Sequence, residues 1–472
     1  MSDITAPTVT KVQALIFIIK HQAMSRWFSR AFMLMAVVIR FATSLRLNYE
    51  DPKLPFLAHE SHRQVMWLVY MIDKMLAAGY QDLTLCRADM MHIQLPCHDN
   101  NFQLDVPEIS KSVIPNNTPG QTTSISIQAL AIRVLWLRQQ VLEFTKNVLT
   151  MHDVDIYSQV TALQDKLYAF SESLPTPYKL SLYNLRLQVY SSTLPAYVDL
   201  HIVWLGAHCI LYHLLLGGLK EALPIPVVEL LDPDFLVDCK QRCFENAKTI
   251  TDVYNFLLVL RGIRPLLEYD LAISVYQAAR ILTCIYQVNP ALISREELEI
   301  HFRTCQAFLE HVFYNCEGVD AIRKDIAILI ENWPFSPAAL EETQDTSASD
   351  SRKDSLNVTH VLSKHSLIGQ MEMEDKGRSF LPSDRFSAAK NYDEQPQALG
   401  LSLSTAQMAD TRVSYDLIPI GGHEHTAQNP TFVEPIEQSL LDLTWPELGI
   451  ESFDWLSNTL WQESDHRNLP HY

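Results

Sequence analysis

Four side chains able to bind a metal or move a proton fall within one short stretch: His201, His208, Cys209 and His213. Cys209 and His213 are four apart, a spacing that puts a thiolate and an imidazole on one face of a helix. First-row metal sites usually draw ligands from more than one chain segment, so the stronger reading is a buried helix whose imidazoles bond to their neighbours. Cys239 and Cys243 also share a helical face, with no further ligand evident, and read as buried thiols. HESH at 59–62 has two residues between its histidines, not three, and GGHEH at 421–425 is too short a tract to serve alone as a metal site. The phosphate-loop, dinucleotide, nucleophile-elbow and zinc-protease motifs are all absent from the sequence. Catalytic, cofactor and metal residues are therefore assigned to none, and an enzyme is not expected.

The elements that would position such groups are helices. Glycine is scarce, 13 in 472 residues, whereas the tight turns and phosphate loops of α/β enzymes use it freely. A first helix is expected from Thr10, where Thr10 and Gln13 form a capping pattern, and a second over about 29–45. The third, about 60–77, carries Val65, Val69, Ile72 and Leu76 on one face. A Pro- and Asn-rich loop then leads to a long helix near 124–150. Its stripe of Leu130, Val134, Leu137, Val141, Phe144 and Val148 reads as core rather than coiled coil, because it lasts barely three heptads. Further helical stretches are expected at about 152–171, 195–217, 234–260 (opened by Asp232-Pro233), 267–287 and 295–332.

The formal charge of −18 offers no general basic footprint for nucleic acid. Eight dispersed cysteines form neither a disulfide framework nor a zinc signature, and a reducing compartment fits. VQALIFII is too short to span a bilayer, HIVWLGAHCILYHLLLGG holds three histidines, and no signal-peptide layout opens the chain, so a soluble intracellular protein without a membrane role is expected.

Between Lys11 and Pro96 the residues form a more specific pattern. Arg30, Ala31, Phe32, Ile39 and Arg40 in one helix are followed by Glu60, Arg63, Trp67, Tyr70, Asp73 and Lys74 in the next, and by Leu95-Pro96. This arrangement resembles the middle regulatory region of fungal transcription factors that carry an N-terminal binuclear zinc cluster. LHIVWLGAHCILYHLLLGGLKEALP is similar to a second segment of that family, with Trp204, His208, Cys209, Leu211 and Tyr212 in matching places. The resemblance gives His208 a structural role that needs no metal, and Arg30, Arg40, Glu60, Arg63, Trp67, Tyr70 and Asp73 likewise. Ala36 and Arg46 stand where the family usually has Gly, and Gly79-Tyr80-Gln81 where it often has Gly-Arg-Pro. These departures are expected only to reshape turns, with no strict need for positive φ at Arg46.

The family's six-cysteine cluster is not in the sequence, so zinc is expected only with a missing N-terminal module, and DNA contact only through that module or a partner. Either the gene model has lost its first exon or the protein acts through a DNA-bound partner. The closing stretch 431–465 has no Lys or Arg, while carboxylates punctuate Trp445, Phe453, Trp455, Leu456, Leu460 and Trp461. Acidic-hydrophobic alternation of this kind is the composition of disordered activation segments. Phe453, Leu456, Leu460 and Trp461 would fall on one face of an induced helix, ready for a coactivator groove. Packing of the same segment back onto the domain is the competing reading.

The expected architecture is all-α: a multi-helix regulatory domain over 1–338, incomplete at its N-terminus, a disordered polar linker over 339–430, and an acidic aromatic activation segment over 431–472. The expected function is a nuclear regulator of RNA polymerase II transcription, partnered by coactivators or other transcription proteins and able to form homo- or heterodimers. The alternative is an all-α scaffold acting through protein partners with no direct role in transcription. An enzyme with a helical pocket built on scattered His and Asp is a more distant third.

Overall fold

The computed structural model describes residues 6–114, 125–148, 155–217, 219, 222–259, 268–331 and 365. All of them lie in the first of the two units into which the chain divides. Among them are helices and turns, with no strand beyond one isolated bridge between Tyr49 and His92. The linker but for residue 365, and the whole of the 431–472 segment, fall outside the described residues.

Helix α1 (Val9–Met24) is capped by Thr8, whose hydroxyl accepts the Lys11 amide at 3.2 Å. The start expected at Thr10 is corrected. Thr8 is in extended conformation, as a cap requires, and beginning there sets Val9 against the core one turn ahead of Val12. Arg26, at φ 61, reverses the chain into α2 (Phe28–Ser44), and α1 and α2 pack together. A left-handed residue also follows α2, at Arg46, and Ala78 and Gly79 are left-handed after α3 (Phe56–Ala77).

The loop after α3 holds α4 (Asp99–Gln103) and leads to α5 (Ile127–Asn147). Ser126 joins them, accepting the Ala129 amide at 3.1 Å as cap and donating to the Pro96 carbonyl at 2.9 Å. Leu130, Val134, Leu137, Val141, Phe144 and Val148 are all buried, so the α5 stripe is core, as its short extent implied. Then come α6 (Ile156–Glu172), α7 (Leu182–Gln188), α8 (Leu194–Tyr212), α9 (Ile225–Val228) and α10 (Pro233–Val259). Asp232 accepts the Phe235 amide at 3.0 Å, the cap expected of Asp-Pro. The array closes with α11 (Tyr269–Val288), α12 (Arg295–Val312) and α13 (Asp320–Glu331).

Helix α8 is the axis. It packs against α5 on one side and α10 and α11 on the other, and nearly all its residues are buried. Both α8 and α11 are long and apolar enough to cross a bilayer, yet 89% and 72% of their apolar windows are buried within the helical array. At about 1.5–3 kcal/mol for each fully buried large apolar side chain, this interior dominates stability.

The stretch expected as one helix over 295–332 is two. Gly318 lies in the break, and a Cβ there would come within 2.5 Å of the Ala23 carbonyl oxygen. The chain must turn to seat this point on the end of α1, where Tyr269 donates to the Gly318 carbonyl at 3.2 Å.

Candidate functional site

Glu60, Arg63, Trp67, Tyr70 and Lys74 recur every three or four residues and therefore share one face of α3. All are buried, and so is Asp73. Their work is with the loop that returns along that face. Glu60 accepts the Cys97 amide at 2.9 Å, Trp67 donates its indole N–H to the Gln94 carbonyl at 2.6 Å, and Asp73 accepts the Leu85 and Cys86 amides at 3.1 and 3.0 Å. Arg63 bonds Glu60 and also Glu50, at 3.0–3.1 Å, and Glu50 accepts the Gln94 amide at 2.6 Å.

Burial pushes the Glu60 carboxyl above its usual range, while Arg63 and the Cys97 amide pull it back. Asp73 is likewise raised by burial and countered by Lys74 and the loop amides. Each carboxylate is committed to backbone amides and a cation, so neither is poised for acid-base chemistry. The motif staples irregular backbone that would otherwise bury unsatisfied N–H groups.

Arg30 and Arg40 behave differently. Both are exposed on the outer face of α2, and Arg30 lies over the Trp27 ring at 4.1 Å.

Among the described residues no group of three or more His, Cys, Asp or Glu is placed to hold an ion, on the histidine helix or elsewhere. His201 bonds the Tyr178 carbonyl at 2.9 Å and His213 the Ile210 carbonyl, while the thiols of Cys209 and Cys243 cross at the α8–α10 contact. Burial pushes the Cys239 thiol up to about 12, which makes it inert. His208 is fully buried among Tyr168, Trp204 and Tyr212, with ring centroids at 5.0, 4.7 and 5.7 Å, and neither of its ring nitrogens has a hydrogen-bond partner among the described residues. Burial, with Arg242 adding, lowers it to about 3, so it packs as a neutral ring. A small pocket between α8 and α11, lined by Cys209, His213, Gln277 and Arg280 among others, holds about 270 Å³ of empty space, part of it open to solvent. Its enclosed part has room for about one water molecule, too little for a ligand.

Two features escaped sequence reasoning. Lys20 pairs with Glu268 at 2.6 Å and Arg138 with Asp270, joining α1 and α5 to the start of α11. Asp199 of α8 sits in this network. It retains some solvent contact, but the protein around it, with Glu268 and Asp270 adding and Arg138 and Lys20 opposing, raises its carboxyl to about 7. Asp199 was visible as a lone carboxylate in an apolar run; its partners come from three other helices that no local pattern could join. The second feature is His365, in the stretch read as a linker. It is buried, bonded to Asp325 of α13 at 2.7 Å, and meets the Tyr276 ring of α11 edge-on at 4.4 Å.

The proposed activation motif, Trp445, Phe453, Trp455, Leu456, Leu460 and Trp461, lies outside the described residues.

An α3 stapled by buried polar residues and an apolar α8 bearing a caged histidine are the features that the resemblance rests on. Residues 2–169, which span α1 to α5 and most of α6, match the model of the fungal specific transcription factor domain. The Zn(2)-C6 fungal-type transcription factor FTF1c of Fusarium oxysporum f. sp. lycopersici is 23% identical over 279 residues, 52% of this chain and 28% of that protein. An uncharacterized transcriptional regulatory protein of Schizosaccharomyces pombe is 27% identical over 115 residues, 21% of this chain and 16% of its own length. The chain thus spans less than a third of each of these relatives. No solved structure matches it.

Proposed function

We propose that this chain is the regulatory and activating part of a nuclear regulator of RNA polymerase II transcription. The observation that carries the reading is the fungal specific transcription factor domain over 2–169, together with the named relatives, both transcriptional regulators. The acidic aromatic stretch near the C-terminus supports an activating role: its carboxylates keep Trp445, Phe453, Trp455, Leu456, Leu460 and Trp461 solvated until a coactivator groove takes them up. DNA contact comes through a zinc module elsewhere in the protein or through a partner; the net charge of −18 and the lack of a six-cysteine cluster in this sequence support that reading.

The test is a fusion of the whole chain to a heterologous DNA-binding domain, read with a reporter gene. The reading predicts activation, and a loss of at least about tenfold when the six aromatic and leucine positions become Ala. A silent fusion that is nuclear and folded would favour the scaffold alternative.

A further inference from the structure

His365 is the one described residue of the stretch read as a linker, and it is 1% exposed. It fills a notch between α11 and α13. Its Nε2 lies 2.7 Å from an Asp325 carboxylate oxygen, and its ring meets Tyr276 edge-on at 4.4 Å. Tyr269 shares its hydroxyl hydrogen between the His365 and Gly318 carbonyls, at 3.5 and 3.2 Å. Gly318 is itself seated on the end of α1, so the notch is built from parts of the domain that other contacts already fix.

Helix α13 ends at Glu331, so bringing His365 back to Asp325 closes a loop over residues 332–364, at an entropic cost that grows with loop length. One hydrogen bond and one ring contact are small against that cost. The sequence around His365 offers more. Val361, Leu362, Leu367 and Ile368 flank it, and no Asp or Glu occurs from Ser355 to Met371 in a chain of net charge −18. On α13, Ile328 stands three residues beyond Asp325, a spacing that puts both on one face, and it is 41% exposed. A carboxylate next to an exposed apolar residue matches an apolar segment that carries a histidine and no acid.

We infer that the α11–α13 notch is a reversible docking site for a short apolar motif, residues 361–368 of the same chain, with His365 as its anchor and Asp325 as the group that selects it. The motif ties the linker to the helical domain at one point, and a free copy of it can take its place. This holds whatever the chain regulates, and its test reads binding alone. A fluorescent peptide of residues 361–370 is titrated with the full chain and with the full chain lacking 361–370, and its anisotropy is followed. Docking predicts that the deleted chain binds the peptide, and that the full chain binds it at least about tenfold more weakly because its tethered copy competes at high effective concentration. That competition should persist when the full chain is diluted to nanomolar concentration. His365→Ala in the peptide should remove binding, a change that leaves the protein untouched. Asp325→Ala in the deleted chain should remove it as well, with thermal unfolding confirming that the domain still folds. No binding by the deleted chain, equal binding by the two chains, or binding indifferent to His365→Ala would overturn the inference. Competition lost on dilution would also overturn it, and would assign the motif to the notch of a second copy.

Discussion

Glu60, in the second turn of α3, accepts the backbone amide of Cys97, 37 residues further on, at 2.9 Å, and the cation beside it is Arg63 from one turn along the same helix. A buried carboxylate holds a loop, and a buried guanidinium opposes the rise that burial imposes on its pKa. Arg63→Leu leaves Glu60 without its nearest cation and should destabilise the protein by about 3–5 kcal/mol. Trp67→Phe, which removes only the indole donor to Gln94, should cost about 1–3 kcal/mol. Denaturant unfolding of the two variants measures both, and equal losses would contradict the assignment.

Arg46 and Gly79 give opposite predictions at left-handed positions. The expectation that Arg46 needs no positive φ is overturned, since it sits at φ 58. Arg46→Gly should therefore raise stability by about 0.5–1 kcal/mol despite losing the stack on Tyr49. Gly79, at φ 89, has Leu142 Cβ within 2.5 Å of where its own Cβ would be, so Gly79→Ala should cost about 2–4 kcal/mol. Thermal unfolding separates the two signs.

His208 carries a pH prediction. Its folded pKa of about 3 lies below the unfolded value near 6.5, so between these limits the unfolded chain binds the extra proton and stability falls as the solution is acidified. His208→Phe removes that loss. The variant should match or exceed the parent at pH 7.5, and its advantage should grow by roughly 1 kcal/mol per pH unit below 6.5. An advantage independent of pH would show that the ring is solvated or paired.

Asp199 predicts the reverse slope. Its folded pKa of about 7 lies above the unfolded value, so from about pH 4 to 7 the folded state holds the extra proton and stability falls as pH rises. Asp199→Asn should be close to neutral near pH 4 and stabilising by more than about 1 kcal/mol at pH 8. Lys20 and Arg138 remain paired with Glu268 and Asp270 in that variant, which keeps the rest of the network as its own control.

The helices were legible because their apolar residues recur at helical spacing and their starts carry caps; Asp232 before Pro233 is one case, and the α5 stripe another. Thr8 displaced Thr10 as the first cap because what the core needed was Val9 in the first turn, a tertiary demand that no capping pattern records. The α3 motif was recognisable by its residue types, but its purpose was not, since Glu60, Trp67 and Asp73 answer backbone groups in a loop whose path only the fold sets. Cys209 and His213 share a face as their spacing requires and line one small pocket, and among the described residues no group of three metal-binding side chains forms there. The charge network around Asp199 needed four helices to meet, and sequence separation hid it.

Rapid depletion shows whether the chain regulates transcription in the cell. The protein is tagged for induced degradation in its native cells, and nascent transcripts are sequenced within minutes of its loss. Prompt change is expected in a discrete set of RNA polymerase II transcripts, reproduced when the chain is replaced by the Phe453→Ala/Trp455→Ala/Trp461→Ala variant. Complete depletion with no change in nascent transcription, under conditions where the protein is present in the nucleus, would contradict it.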